Sequence, residues 1–333
     1  MGGECFKRLK EAEGIVAAFL CSLVYTALLA SNKQLQSLDW PYFFISGSAA
    51  LLVSLFNLAH LWWRRLLHVP SDVKWVILRG SLGSTSNCLS VFAVLAGAHV
   101  GSIAALRSAN SIVASLGTVA LGEEFGWMHL VSVTLFVLGA VLTADPEEVL
   151  ATLGSTLLGN GLALASGICN GCAFLTGRKV KDVHPSFLII SNTLHTWILC
   201  WTLHFVLRVP DESFQSMEGV HLQSIMLLLC IPMIMHFLPT FSSIASQKCS
   251  AAVATTVITA TNMLLGYGLD YLLYQRLVQR LTFVGAILIF LAVLTMLLTQ
   301  VRRDSVKDKL PVDEEISNLS LLDTEHAGQK TCI

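Results

Sequence analysis

The chain reads as a succession of long apolar stretches separated by short polar stops. Runs of about 20 apolar residues mark membrane spans, and ten such stretches follow one another here. The first three cover about residues 14–33, 41–63 and 75–96. Two more lie between Val100 and Ala144, divided at Gly122-Glu123-Glu124. The second group covers about residues 156–177, 185–207, 221–246, 250–269 and 281–299. Pro232 and Pro239 should bend the eighth stretch.

This pattern predicts an all-α polytopic membrane protein with ten transmembrane helices arranged as two inverted five-helix repeats. Residues 1–13 form a cytosolic N-terminal tail and 14–145 the first repeat. Residues 146–155 are a connector, 156–300 the second repeat, and 301–333 a cytosolic disordered tail. An odd number of spans per half inverts the second copy, an arrangement in which carriers bind substrate near the midplane between repeats. Laying Ser102–Thr143 on Ala254–Thr295 matches Asn110 to Asn262, Glu123 to Gln275 and Ala140-Val141-Leu142-Thr143 to Ala292-Val293-Leu294-Thr295, with little identity elsewhere.

Charge sets the orientation. With both termini cytosolic, the inner side gathers Lys7, Arg8, Lys10, Arg64-Arg65, Arg178-Lys179, Lys181 and Arg302-Arg303. The outer side keeps only Lys33, Arg208, Arg276 and Arg280, as the positive-inside rule requires.

Composition agrees with a bilayer environment. Charged residues make up 13% of the 333, hydrophobic residues 54%, and mean hydropathy is +0.68, whereas about a quarter of a soluble domain is charged. The formal net charge of −1 gives no support to nucleic-acid binding. The cysteines fall in spans or cytosolic segments, so no disulfide framework is expected, and Cys169-Asn170-Gly171-Cys172 has too few companions for a zinc site. With no Ser/His/Asp constellation, no His-x-x-x-His helix and no glycine-rich phosphate loop, neither an enzyme nor a metal or other cofactor is expected.

The residue that changes the picture is Arg107, inside an otherwise apolar span. It lies roughly 10 Å down the helix axis, where a charge costs about 2.5–3.5 kcal/mol or more. No Asp or Glu lies well inside any span as bounded above. Arg107 therefore either snorkels outward or meets a counter-charge delivered by a ligand. Asn110 and Ser111, three and four residues on, share its face if the helix is continuous. Lys33 and Arg79, near span ends, can reach the interface. Tyr25, Asn170, Asn192, His195 and His236 could contact the polar parts of a cargo, and Asn110 and Asn262 serve equally well as interhelical hydrogen-bonders. With no intramembrane carboxylate, exchange or facilitated diffusion is favoured over proton symport.

Ser31-Asn32-Lys33-Gln34-Leu35, followed by Asp39-Trp40-Pro41-Tyr42, resembles the join between the first two spans of nucleotide-sugar and triose-phosphate transporters. Arg107-Ser108, Gly117, Glu123 and Ala144-Asp145-Pro146-Glu147 resemble the fourth and fifth spans of the GDP-sugar and UDP-sugar members. The whole pattern, about residues 14–300, resembles the drug/metabolite transporter superfamily.

That resemblance implies a Golgi or other endomembrane antiporter that exchanges a nucleotide sugar for a nucleoside monophosphate, with Arg107 holding the anionic cargo. One departure stands out: Asn262 occupies a ninth-span position where many members carry lysine, which admits less charged cargo. The substrate-binding set on this reading is Arg107, Asn110, Ser111, Lys33, Asn262, Tyr25, Asn192, His195 and His236. The partners are a small anionic molecule and the lipid bilayer; a homodimer stays open. The alternatives are a generic metabolite or amino-acid permease of the same superfamily, and a membrane scaffold without transport.

Overall fold

The computed structural model describes residues 2–38, 40–66, 72–98, 100–120, 127–143, 155–180, 182–207, 222–248, 251–275 and 279–307. Glu123, Glu124, all but the last residue of the connector 146–155, the polar segment 208–221 and the tail beyond residue 307 lie outside the described residues. Within them the chain is helical, with no strand.

The helices are α1 (Gly2–Ser37), α2 (Tyr42–Trp63), α3 (Val73–Leu95), α4 (Val100–Arg107), α5 (Ala109–Ala120), α6 (Trp127–Thr143), α7 (Ser155–Gly177), α8 (Pro185–Leu207), α9 (Leu222–Lys248), α10 (Ala251–Tyr274) and α11 (Arg280–Lys307). Helix α1 begins at Gly2, so most of the segment expected as a tail continues the first helix. Helix α10 runs past its expected end and takes Asp270 into the protein.

Among the described residues, five helical segments are long and apolar enough to cross a membrane: Ala12–Leu35, Tyr42–Trp63, Leu157–Gly177, Pro185–Val206 and Leu228–Lys248. Leu130–Thr143 and Arg280–Thr295 are shorter apolar helices. Large apolar side chains such as Leu52, Phe56, Val137, Val141, Phe283 and Ile287 are exposed, while arginine, asparagine and many hydroxyls are buried. Water would penalise that exterior and lipid favours it; the chain is membrane-embedded.

The predicted fourth span is broken. Between α4 and α5, Ser108 accepts from Ser111 N–H and donates its own N–H to Ala105, both three residues apart, and its hydroxyl also turns back onto the Ala105 carbonyl. These tight i→i+3 bonds replace the α-helical ladder for one turn, immediately after Arg107.

Packing runs between the halves more than within them. Helix α1 lies against α9 and α10, α2 against α8, and α3 against α7 and α8. Helices α4 and α5 lie against α7 and α10, and α6 against α11. Small residues make the crossings close: a Cβ on Gly139 of α6 would meet the Gly285 carbonyl of α11 at 2.7 Å, and the reverse contact is equally short.

Candidate functional site

A cavity lies among α1, α3, α4, α7, α8, α9 and α10, with about 620 Å³ of atom-free space including its mouth. Five of these helices contribute residues one turn apart: Cys21 and Tyr25 from α1, Arg79, Gly83 and Asn87 from α3, Asn170 and Phe174 from α7, Pro239 and Ser242 from α9, and Ile258 and Asn262 from α10. Arg107 and Asn192 complete the polar lining.

Arg107 is 8% exposed. Its guanidinium carbon sits 3.7 Å from the centre of the Tyr25 ring, a cation–π contact worth about 2 kcal/mol when desolvated. Tyr25 is fixed through its hydroxyl, 3.0 Å from Ser90 Oγ. Arg107 Nη2 donates to Ser86 Oγ at 3.3 Å and Asn87 Oδ1 at 3.5 Å. Ser86, Ser90 and Ser166 form a hydroxyl cluster joining α3 to α7. Nε and Nη1 of Arg107 are buried without a hydrogen-bond partner. The arginine does not snorkel; it is held by neutral groups and an aromatic face.

Arg79, expected at the interface, is instead 7% exposed and lines the same cavity. Helix α9 closes over it, so its route to the headgroups is shut; Nη1 and Nη2 donate to Ser243 and Ser246 at 3.3 Å each, and Nε has no partner. The sequence carried a signal for it: Arg79, Gly83 and Asn87 fall at i, i+4 and i+8, which puts them on one helical face.

Of the expected residues, Arg107, Tyr25, Asn170, Asn192 and Asn262 are brought together around the cavity. Asn262 has a buried Oδ1 without a partner, and Gly83 leaves room for Asn192, whose Nδ2 would lie 2.4 Å from a Cβ there. The others are engaged elsewhere. Asn110 Oδ1 accepts from Ser111 and Thr259, both at 3.2 Å, tying α5 to α10. The break at Ser108 explains why these two do not line the cavity with Arg107: the i+3 and i+4 rule assumes an unbroken helix. His195 Nδ1 lies 2.6 Å from the Ser191 carbonyl, and Asn57 reaches His236 Nδ1 at 3.3 Å.

Lys33 lies 3.7 Å from Asp270. Asp270, 4% exposed, also accepts the Gly101 N–H at 2.8 Å. The expectation placed no carboxylate well inside a span and ended the ninth at residue 269; α10 runs on to Tyr274 and so carries the buried Asp270. Asp270 is outside the cavity lining and serves Lys33, so it does not neutralise either arginine.

No family model and no curated protein matches the chain. Among solved structures, 27 chains match. One of them, described only as "Crystal structure of protein", is similar to this chain over 87% of its length and 98% of that chain, with a TM-score of 0.61 and 14% identity. At that identity the likeness shows a shared fold alone.

Proposed function

We propose that the chain is a secondary-active carrier that works by alternating access, and that its cargo is a nucleotide sugar exchanged for a nucleoside monophosphate. The observation that carries this reading is Arg107, buried, without a carboxylate partner among the described residues, and lining a cavity between helices of both halves. A cation placed so deep in a bilayer is costly unless something compensates it; a cargo that supplies the negative charge would do so.

The packing supports ten spans in two inverted repeats. Pairing α1 with α7, α2 with α8, α3 with α9, α4 and α5 with α10, and α6 with α11 maps the main contacts onto one another: α3 against α7 becomes α9 against α1, while α2 against α8 and α6 against α11 map onto themselves. A two-fold relation between halves produces such a set. On this reading both termini are cytosolic, the membrane is the Golgi or another endomembrane, and the chain performs no enzymatic step.

Asn262 favours a second reading, a permease for a neutral or zwitterionic metabolite such as an amino acid. It lines the cavity as an unpaired neutral acceptor where the resemblance leads one to expect lysine.

Purified protein in liposomes loaded with nucleoside monophosphate should take up labelled nucleotide sugar, and Arg107→Ala should abolish uptake without lowering yield or monodispersity. A panel of nucleotide sugars that yields no uptake, with a zwitterion transported instead, rejects the first reading in favour of the second.

A further inference from the structure

We infer that Arg79 is a second anion-binding residue of the cavity and that, with Arg107, it sets the occupant's charge at two negatives, carried on the phosphomonoester of a nucleoside monophosphate or on the diphosphate of a nucleotide sugar. The inference rests on the carrier reading only in taking the cavity as the place where cargo sits. Both arginines are more than nine-tenths buried and line one space. Every partner they have is neutral: Ser243 and Ser246 for Arg79, and Ser86, Asn87 and the Tyr25 ring for Arg107. Among the described residues no Asp or Glu lines the cavity, and Asp270 is held by Lys33 and Gly101.

Two uncompensated guanidiniums in one low-dielectric chamber repel each other as well as losing hydration. A zwitterion relieves neither cost, and a monoanion relieves one. A dianion relieves both. Arginine pairs with phosphate oxygens through its planar fork of N–H groups, and Nε of Arg79 with Nε and Nη1 of Arg107 are donors that no protein acceptor takes. Gly177 lets the Arg79 side chain pack closely against α7, since a Cβ there would lie 3.1 Å from Nε. The bonds from Arg79 to the two serines are long and neutral, so a charged acceptor displaces them readily. Asn262 Oδ1 remains for a hydroxyl on the body of the cargo.

The test titrates the full chain in detergent with ribose 5-phosphate, its methyl phosphodiester and ribose at pH 7.5, where a phosphomonoester, with a second pKa of about 6, is largely dianionic. The monoester should bind at least about tenfold more tightly than the diester. Arg79→Gln should erase that preference and Arg79→Lys should restore part of it. Glutamine keeps donors for the serines and removes an unpaired charge, so unliganded Arg79→Gln should melt no lower than wild type; a merely structural arginine would behave in the opposite way. Equal binding of monoester and diester by the wild type, or a preference that survives Arg79→Gln, overturns the inference. Nucleotide-sugar exchange at full rate by Arg79→Gln also overturns it and leaves the proposed function standing. A preference dependent on Arg79, in a protein that moves no nucleotide sugar, upholds the inference while the nucleotide-sugar reading fails.

Discussion

Asp270 and Lys33 pair at the ends of α10 and α1, and the Asp270 carboxylate adds the Gly101 amide of α4. The aspartate is nearly sealed, whereas a fifth of the Lys33 side chain is exposed. Removing one member of a buried pair typically costs about 3–5 kcal/mol, and the partial exposure of Lys33 places this pair near 3. Asp270→Asn keeps an acceptor for Gly101 and removes only the charge, so its melting temperature should fall, and the exchanged pair Lys33→Asp with Asp270→Lys should recover part of the loss. A thermal melt that leaves Asp270→Asn unchanged would deny the pair any role in holding these helices. Residues of this kind were unevenly legible. Arg107 announces itself because nothing else in its run is charged. Arg79 sits near the start of α3, where a route to the headgroups looks open until α9 is known to cover it. Asp270 was missed because the helix, which ends at Tyr274, was ended five residues short, at 269.

The break between α4 and α5 is the element on which the cavity turns. An apolar run gives no sign of it, because the interruption depends on Ser108 capturing the Ala105 carbonyl and on a neighbour that accepts the altered path. That neighbour is α7. A Cβ on Gly167 would lie 2.6 Å from the Arg107 carbonyl oxygen, and one on Gly171 would lie 2.8 Å from that of Asn110. Gly167→Ala should therefore push the broken segment aside, at about 1–3 kcal/mol for overpacking, and should weaken anion binding together with stability because Arg107 is carried on that segment. Gly161, on the same helix, is the control: nothing lies within 4 Å of a Cβ there. Gly161→Ala should be neutral, or more stable by up to about 1 kcal/mol from helix propensity. Melting curves of the two variants side by side separate the contact from the loss of a glycine. The small residues themselves were legible as close packing; which backbone each one admits was not, since that depends on helices distant in the chain.

At the scale of the molecule the two halves interlock. Helix α1 rests on α9 and α10, α3 rests on α7 and α8, and a hydrogen bond from Ser22 on α1 to the Ile258 carbonyl on α10 crosses between them at 3.1 Å. The apolar runs and the all-helical character could be read from the sequence, because each is local. The interlocking could not, since period and hydropathy say which face is apolar and not which helix covers it. It carries a consequence for folding. In lipid, helices associate through packing and hydrogen bonds rather than through burial from water, so a half stripped of its partner loses the bonds from Ser22 to Ile258, from Arg79 to Ser243 and Ser246, and from Ser86 to Ser166. Residues 1–150 and 151–333 expressed separately should accumulate poorly and aggregate on extraction, whereas co-expressed halves should copurify through a tag on one of them and regain ligand-dependent melting. Two halves that are each monodisperse alone would mean that the contacts between α1 and α9, α3 and α7, and α2 and α8 form between domains already folded. The cavity, built from both halves, would then be assembled by docking rather than by folding.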